Sequence, residues 1–217
     1  MHLALFDLDN TLLGGDSDYL WGRFLVEQGI VDGESYETTN LKFYQDYAQG
    51  VLDMEAYLAF QLGILTRHRL AVLERWRGEF MERMIRPIML PRGRERIERH
   101  QREGDTVVIV TATNRFVTAP IAAAFGVEHL LATDLEMVDD VFTGRPLGVP
   151  CFQEGKVVRL RQWLKDKPHS LERALFYSDS RNDLPMLEAV SHPVAVDPDP
   201  VLYQHALARG WEVISFR

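Results

Sequence analysis

Two carboxylates and a hydroxyl, those of Asp7, Asp9 and Thr11, follow an apolar run near the start of the chain. The run Leu3–Phe6 has the length and composition of a buried strand, which places both carboxylates at its carboxyl end. Burial of carboxylates is unfavourable unless a cation or hydrogen-bond donors replace the lost water. Mg2+ takes oxygen ligands and tolerates one or two carboxylates beside water and phosphate. The pattern indicates phosphate chemistry, and an acidic helix-capping turn is the alternative on this segment alone.

Three further polar clusters stand where strands end or helices begin. Thr111 follows the β-branched run 106–110, which predicts a second buried strand. Lys156 begins an amphipathic stretch, and the run 179–183 follows a short apolar stretch. Because ligands bind beyond the carboxyl ends of parallel strands, we expect these groups to converge on one crevice with Asp7. Taken singly, Thr111 and the acidic run could cap helices, and Lys156 could be a solvated surface lysine.

Together the four motifs resemble those of the haloacid dehalogenase superfamily of phosphohydrolases. The motifs are the run 7–11, Thr111, Lys156 and the run 179–183, and their order and spacing match that superfamily across nearly the full chain. The insertion of about 70 residues between the first two motifs resembles the helical cap of the subgroup that contains phosphoserine phosphatase. The resemblance implies an α/β fold, a Rossmann-like, doubly wound parallel sheet with an inserted α-helical cap.

The same resemblance implies a role for each motif residue. Asp7 would attack phosphorus and form an aspartyl-phosphate. Asp9 would protonate the leaving group and then activate water. Thr111 and Lys156 would hold the phosphoryl group, and Lys156 would also pair with Asp7. The implied protein ligands of Mg2+ are Asp7, the main-chain carbonyl of Asp9, and Asp179, with Asp183 in or next to the metal shell.

The chain departs from the phosphoserine phosphatase pattern beside the phosphate. Ser178 stands where a glycine usually precedes the fourth motif, and the second motif reads Thr-Ala-Thr instead of Ser-Gly-Gly. These changes alter the pocket and weaken the case for phosphoserine itself. Asp16 occupies the position where those enzymes contact a substrate amine, so an amino-alcohol phosphate is expected, like phosphoserine or histidinol phosphate; helix capping is the alternative role of Asp16. The expected substrate-binding residues are Asp16, Thr111, Ala112, Arg181 and Asn182.

Composition is that of an ordinary globular enzyme. The 217 residues are 46% hydrophobic and 26% charged, and the formal charge of −8 disfavours a general nucleic-acid-binding surface. The single cysteine, Cys151, excludes an intramolecular disulfide. No apolar stretch approaches the ~20 residues that span a bilayer, and the early aspartates argue against a signal peptide. We therefore expect a cytoplasmic protein without a membrane or nucleic-acid partner, whose oligomeric state the sequence does not indicate.

The expected domains are a core of residues 1–15 and 87–217 and a cap of residues 16–86. In the cap, apolar residues recur at helical spacing. In the core, strands and helices alternate, which is typical of a parallel sheet with helices on both faces. The seven histidines are scattered without a helical pair at ligand spacing, so we expect surface or packing roles. Predicted strands are 106–110, 129–132, 174–178 and 193–196, predicted helices are 115–125, 156–166 and 183–189, and a hairpin is expected within 135–149.

These patterns predict a Mg2+-dependent phosphomonoesterase that acts on a small phosphorylated metabolite. Two other functions stay open. A phosphotransferase would use the same intermediate on Asp7 and pass the phosphoryl group to an alcohol. A non-enzymatic phospho-acceptor module would also place aspartates and a lysine at strand ends. Against that module stand Asp9, whose acid–base chemistry would speed hydrolysis, and the large cap, which would exclude bulk water.

Overall fold

A computed structural model of the chain describes residues 2–217 and has one seven-stranded sheet at its centre. The strand order is β4-β3-β2-β1-β5-β6-β7, and every neighbouring pair is parallel except β3 and β4. The predicted α/β fold with a mostly parallel sheet is confirmed. The strands are β1 (Leu3–Phe6), β2 (Thr106–Asn114), β3 (His129–Val138), β4 (Val141–Leu147), β5 (Ala174–Ser178), β6 (His192–Val196) and β7 (Glu212–Ile214).

The first strand, β1, lies in the middle of the sheet, with all four of its residues buried. Its side chains alternate between two apolar clusters, Ala4 and Phe6 on one face and Leu3 and Leu5 on the other. This alternation means that both faces of the sheet are covered, as a doubly wound fold requires. The helices of the core are α5 (Pro91–Arg102), α6 (Arg115–Ala124), α7 (Glu154–Leu164), α8 (Leu184–Leu187) and α9 (Pro200–Arg209).

Four helices without any strand occupy the insertion after β1. They are followed by a π-helical turn over Met81–Ile85. The chain returns to its point of departure, since Leu13 pairs with Met89 and the Leu90 N–H donates to the Leu12 carbonyl at 2.9 Å. This close return supports the division into a core of 1–15 and 87–217 and a cap of 16–86, which stays a prediction. The cap helices are α1 (Ser17–Glu27), α2 (Gly33–Gln49), α3 (Met54–Gly63) and α4 (Leu70–Phe80).

The core elements differ from the predicted ones mainly in length. Strand β2 continues to Asn114, four residues beyond the predicted end, and β3 continues into the expected hairpin with β4. The predicted helix 183–189 is a 3-10 turn over Arg181–Asp183 followed by the short α8. Helix α9 and strand β7 have no counterpart in the sequence prediction; β7 is a three-residue edge strand, too short to show an alternating pattern. Among residues 2–217, no helix combines the length and the apolar character that a bilayer crossing needs.

Candidate active site

The four sequence motifs meet at the carboxyl edge of the sheet. Asp7 follows β1 directly, and its N–H donates to the Tyr177 carbonyl at 2.9 Å, which continues the pairing of β1 with β5. Lys156 lies in the first turn of α7, and its Nζ donates to Asp7 Oδ1 at 2.7 Å and to Asp183 Oδ2 at 2.8 Å. The side chain of Lys156 is 1% exposed, so it is not the solvated surface lysine of the alternative interpretation.

Burial and charge act in opposite directions on this ion pair. Burial raises the pKa of Asp7 to about 7, and the nearby Lys156 opposes that rise. Burial alone would lower the pKa of Lys156, but the carboxylates of Asp183 and Asp7 raise it above its ordinary value. Lys156 therefore stays charged and holds Asp7 in place. Ser178, the departure from glycine, donates through Oγ to Asp183 Oδ2 at 2.7 Å and so supports the same cluster.

Thr11 connects two of the expected metal ligands. Its Oγ1 lies 2.9 Å from Asp179 Oδ1 and 3.4 Å from Asp7 Oδ2, and it accepts a hydrogen bond from the Asp179 N–H at 3.0 Å. The two carboxylates therefore face the same side of the cluster. Burial, with the neighbouring Asp7 charge, raises the pKa of Asp179 well above its usual range.

This donor set fits a hard divalent cation. Asp7 and Asp179 offer oxygen atoms only, in a buried cluster with one lysine to balance several carboxylates, and Mg2+ prefers such ligands. Asp183 is already engaged, because its Oδ1 and Oδ2 lie 2.7 and 2.8 Å from Lys156 Nζ. With this geometry, Asp183 can orient Lys156 and would lie next to the expected metal ligands.

Asp9 is held on the opposite side of the cluster by donors from the cap and from β2. Its Oδ1 accepts the Ser17 N–H at 2.6 Å, and its Oδ2 lies 2.9 Å from Thr113 Oγ1 and 3.4 Å from Thr111 Oγ1. Burial raises the pKa of Asp9, and these donors oppose the rise. Thr111 does not cap the next helix, because Asn114 does so by accepting the Val117 N–H.

A pocket opens from this cluster toward the cap, and its lining is acidic and aromatic. Four carboxylates face it, those of Asp7, Asp9, Asp16 and Asp18, together with Ala112 and several rings. No lysine or arginine of the described chain lines this pocket. The room left in the pocket is about 20 Å³, close to what one water needs, so little space remains for a substrate in this arrangement. The rings are those of Tyr19, Phe43, Tyr44, Tyr47 and Tyr57.

The two carboxylates at the start of α1 have different partners. Asp16 caps the helix, since its Oδ1 accepts the N–H groups of Asp18 and Tyr19 at 3.0 and 2.8 Å, and it also lines the pocket. Asp18 is bonded to the Tyr57 hydroxyl and to Asn114 Nδ2. Burial raises the pKa of Asp18 to about 7, and burial with the charge of Asp9 raises that of Asp16 well above its usual range.

Arg181 and Asn182 do not line the pocket. Asn182 Nδ2 donates to the Tyr47 carbonyl at 2.8 Å, and its Oδ1 accepts from Gln153 Nε2 at 3.3 Å, so the amide ties the core to the cap. Arg181 packs beside Gly50 at the end of α2. Substrate contact by these two residues stays a prediction.

Several residues at the site have no place in the predicted set. Thr11 lies in the turn within the first motif, after the end of β1. Thr113 points to the same side of β2 as Thr111, so strand periodicity could have identified its hydroxyl. The cap residues Asn40, Tyr57 and Gln61 could not be assigned to the site from the sequence, because only the packing of three helices brings them to the pocket.

A second group of potential metal ligands lies at the amino end of β2. Ligand atoms of His100, Glu103 and Asp105 fall within 4.8 Å of one another. The ring nitrogens of His100 are each 2.9 Å from a partner, Asp105 Oδ2 and the Tyr177 hydroxyl. His100 is therefore a buried packing residue, as expected.

Comparison with known proteins gives similarities over the full chain. Residues 4–188 match the haloacid dehalogenase-like hydrolase family. A histidinol-phosphatase of Neisseria meningitidis is 42% identical, and the alignment covers 100% of this chain and 99% of that protein. A phosphoserine phosphatase of Mycobacterium tuberculosis is 33% identical over 99% of this chain and 70% of its own length.

A Bordetella pertussis protein of unknown function has a TM-score of 0.93 at 47% identity, covering 99% of this chain and 98% of its own. A substrate-bound phosphoserine phosphatase has a similar fold, with a TM-score of 0.74 at 19% identity over 100% and 93% of the two chains.

Proposed function

This chain belongs to the haloacid dehalogenase-like hydrolase family and is a phosphatase of that family, and we propose that it hydrolyses a small amino-alcohol phosphate through an aspartyl-phosphate on Asp7. The supporting observation is the placement of a lysine-paired, buried carboxylate beside an acidic and aromatic pocket. Mg2+ is the proposed cofactor, held by Asp7, the main-chain carbonyl of Asp9, and Asp179.

The side chains support a two-step displacement. An Asp7 oxygen attacks phosphorus, the phosphorus–oxygen bond to the alcohol breaks, and the leaving oxygen takes a proton from Asp9. Burial raises the pKa of Asp9 and so favours the protonated form that this first step needs. Asp9 then takes a proton from water as the water oxygen attacks phosphorus, which releases phosphate and restores Asp7.

Charge stabilisation in both steps falls to groups with fixed positions. Lys156 neutralises charge on Asp7 and on the phosphoryl group, and Asp183 keeps the lysine oriented. Thr11 holds Asp179 beside Asp7. Bound Mg2+ would supply a Lewis acid that offsets negative charge on the phosphoryl oxygens.

The charges of the pocket support a substrate that carries an amine and lacks a carboxylate. Asp16 and Asp18 attract an ammonium group, whereas the carboxylate of phosphoserine would meet both of them without a basic lining residue in the described chain. The aromatic lining accommodates a flat ring. A full-length relative named histidinol-phosphatase supports the same choice, so histidinol phosphate is our first candidate substrate.

Phosphate release from a panel of esters tests this proposal. The panel contains histidinol phosphate, phosphoethanolamine and phosphoserine, each with Mg2+ and with chelator. We expect metal-dependent hydrolysis, with histidinol phosphate preferred to phosphoserine. Asp7→Asn should abolish turnover and leave the circular dichroism spectrum unchanged, while the exposed control Asp166→Asn should keep wild-type rates.

Three results would contradict parts of the proposal. Normal turnover by Asp7→Asn protein would exclude this nucleophile. A preference for phosphoserine would exclude our account of the pocket charges. Transfer of phosphate to an added alcohol, in place of release to water, would identify a phosphotransferase with the same intermediate.

A further inference from the structure

The cap side of the pocket contains a buried acceptor atom without a donor. Gln61 lines the pocket from α3 and is 3% exposed. Its Oε1 has no hydrogen-bond partner among the described residues. A buried amide oxygen in that position is unfavourable in the free protein, because it has lost water and gained no N–H or O–H group in exchange.

Neighbouring groups determine which atom of this amide is left without a partner. The Tyr19 carbonyl can only accept, and Asn40 Nδ2 donates to it at 2.9 Å. Asn40 Oδ1 must then point the other way, where it accepts from Gln61 Nε2 at 3.2 Å. Gln61 Oε1 is therefore the remaining atom, and exchanging oxygen and nitrogen in either amide would place donor against donor or acceptor against acceptor.

The surroundings of this acceptor favour a planar cation. Tyr57 lies one turn before Gln61 on α3, so both side chains lie on the same face of the helix. The Tyr57 hydroxyl bonds to the buried carboxylate of Asp18. The Phe43 ring stands edge-on to the Tyr57 ring with centroids 5.7 Å apart. Aromatic rings, a carboxylate and a free carbonyl oxygen together suit a protonated ring that carries N–H groups.

We propose that Gln61 is a specificity-determining residue, whose Oε1 accepts a hydrogen bond from a ring N–H at the end of the substrate away from the phosphate, with Asp18 supplying the complementary charge. This assignment rests on the proposed function and adds to it a second recognition point in the cap. Asp16, next to the catalytic cluster, would contact the amine, and Gln61 would distinguish a nitrogen heterocycle from a simple aliphatic amine.

Two variants separate recognition by Gln61 from its structural role. Gln61→Met has a similar length and offers no acceptor, but it leaves Asn40 Oδ1 without its donor. Gln61→Lys keeps a donor toward Asn40 and replaces the acceptor with a positive charge. Gln45, on the exposed side of α2, provides the matched controls Gln45→Met and Gln45→Lys. Thermal melting of all four variants identifies any loss of folding.

The decisive measurement is the ratio of kcat/KM for histidinol phosphate to kcat/KM for phosphoethanolamine, which has an amine and no ring. Both Gln61 variants should lower this ratio about tenfold or more, mainly through KM, because only the ring-bearing ester loses a hydrogen bond to a charged donor. The Gln45 controls should leave the ratio at the wild-type value. Calorimetric binding of histidinol, which has no phosphate to hydrolyse, should weaken in the same two variants.

Each result bears on a different claim. An unchanged ratio in folded Gln61→Lys protein, or an equal fall for both esters, would overturn the role of Gln61 while leaving the phosphatase assignment intact. If the wild-type protein hydrolyses none of the amino-alcohol esters, the proposed function fails, and histidinol binding still reports on the acceptor by itself.

Discussion

Lys156 is a buried lysine whose charge is balanced by two carboxylates. Its Nζ lies 2.7 Å from Asp7 Oδ1 and 2.7 Å from Asp183 Oδ1. A buried charge of this kind is tolerated only when it is paired, and removal of one member leaves the others uncompensated. The lysine therefore serves both the fold of the cluster and the proposed chemistry.

Replacing this lysine should affect activity more than any surface lysine does. Lys156→Met keeps the length of the side chain and removes the charge, so kcat should fall by about 10²- to 10³-fold or more, the range seen when one preorganised donor is lost. Lys165→Met, at the exposed end of the same helix, is the matched control. Steady-state kinetics at saturating Mg2+ measure both, and similar rates for the two variants would exclude an electrostatic role for Lys156.

Asp9 should act in both halves of the proposed reaction. Asp9→Asn retains a hydrogen-bonding side chain toward Ser17 and Thr113 but cannot exchange a proton with the alcohol or water. We expect both formation and breakdown of the aspartyl-phosphate to slow by about 10²- to 10⁴-fold. Rapid-quench measurement of phosphate bound to the protein resolves the two steps. An Asp9→Asn variant in which only one step slows would limit the residue to that half of the reaction.

The start of α7 is the element that places Lys156. Gln153, just before the helix, has a positive φ of 47°, an uncommon conformation for a residue with a side chain. Two residues later, a Cβ on Gly155 would lie 2.0 Å from the Pro150 carbonyl oxygen. The helix can therefore approach this loop only with glycine at 155, and that approach brings Lys156 to β1.

Gly155→Ala should consequently displace the first turn of α7. A shift of about 1 Å in Lys156 would lower kcat by roughly 10²-fold. Gly78→Ala, in the exposed part of α4 with nothing within 4 Å of the added Cβ, should leave kcat unchanged and stabilise the protein by about 0.5–1 kcal/mol. Thermal melting and kinetics on both variants check these expectations. Full activity in Gly155→Ala would show that the loop containing Pro150 moves and that Lys156 stays in place.

Over the whole molecule, acidic side chains accumulate between the cap and the core. Asp16 and Asp18 come from the cap, and Asp7, Asp9 and Asp179 come from the core. Burial raises the pKa of each of these groups. Packing of the cap against the core brings these carboxyl groups together, so a cationic substrate that binds in the pocket should stabilise this arrangement.

The buried carboxyl group of Asp18 should make the free energy of unfolding depend on pH. Burial raises the pKa of Asp18 from 3.8 to about 7, so the folded protein retains a proton that the unfolded chain releases above pH 4. Stability should therefore fall as pH rises from 4 to 7 and then level off, with a contribution from this group of roughly 4 kcal/mol. Asp18→Asn should remove that part of the pH dependence. Chemical denaturation of metal-free protein at pH 4.5 and 7.5 measures the change in unfolding free energy between these two pH values. An equal change in wild type and variant would contradict the expected pKa of Asp18.

Local sequence patterns determined the sheet and the meeting point of the motifs. Buried strands with polar residues at their carboxyl ends place those residues at one edge whatever the helices do. This rule anticipated the proximity of Asp7, Asp9, Thr111, Lys156 and the 179–183 turn. It did not anticipate β7, because a three-residue edge strand shows no alternating pattern. Helix α9 was missed although Asp199, Pro200 and Gly210 are the start and stop signals of a helix.

Only the tertiary structure decided how the cap lies over that edge. The packing of α1, α2 and α3 brings Asn40, Tyr57 and Gln61 to the pocket and leaves Arg181 and Asn182 outside it. Helical periodicity predicts which residues share a face, but the facing partner depends on how separate helices dock. The cluster of acidic residues around Lys156 therefore followed from short-range pattern, whereas the pocket surface contributed by the cap arose from contacts between residues far apart in the chain.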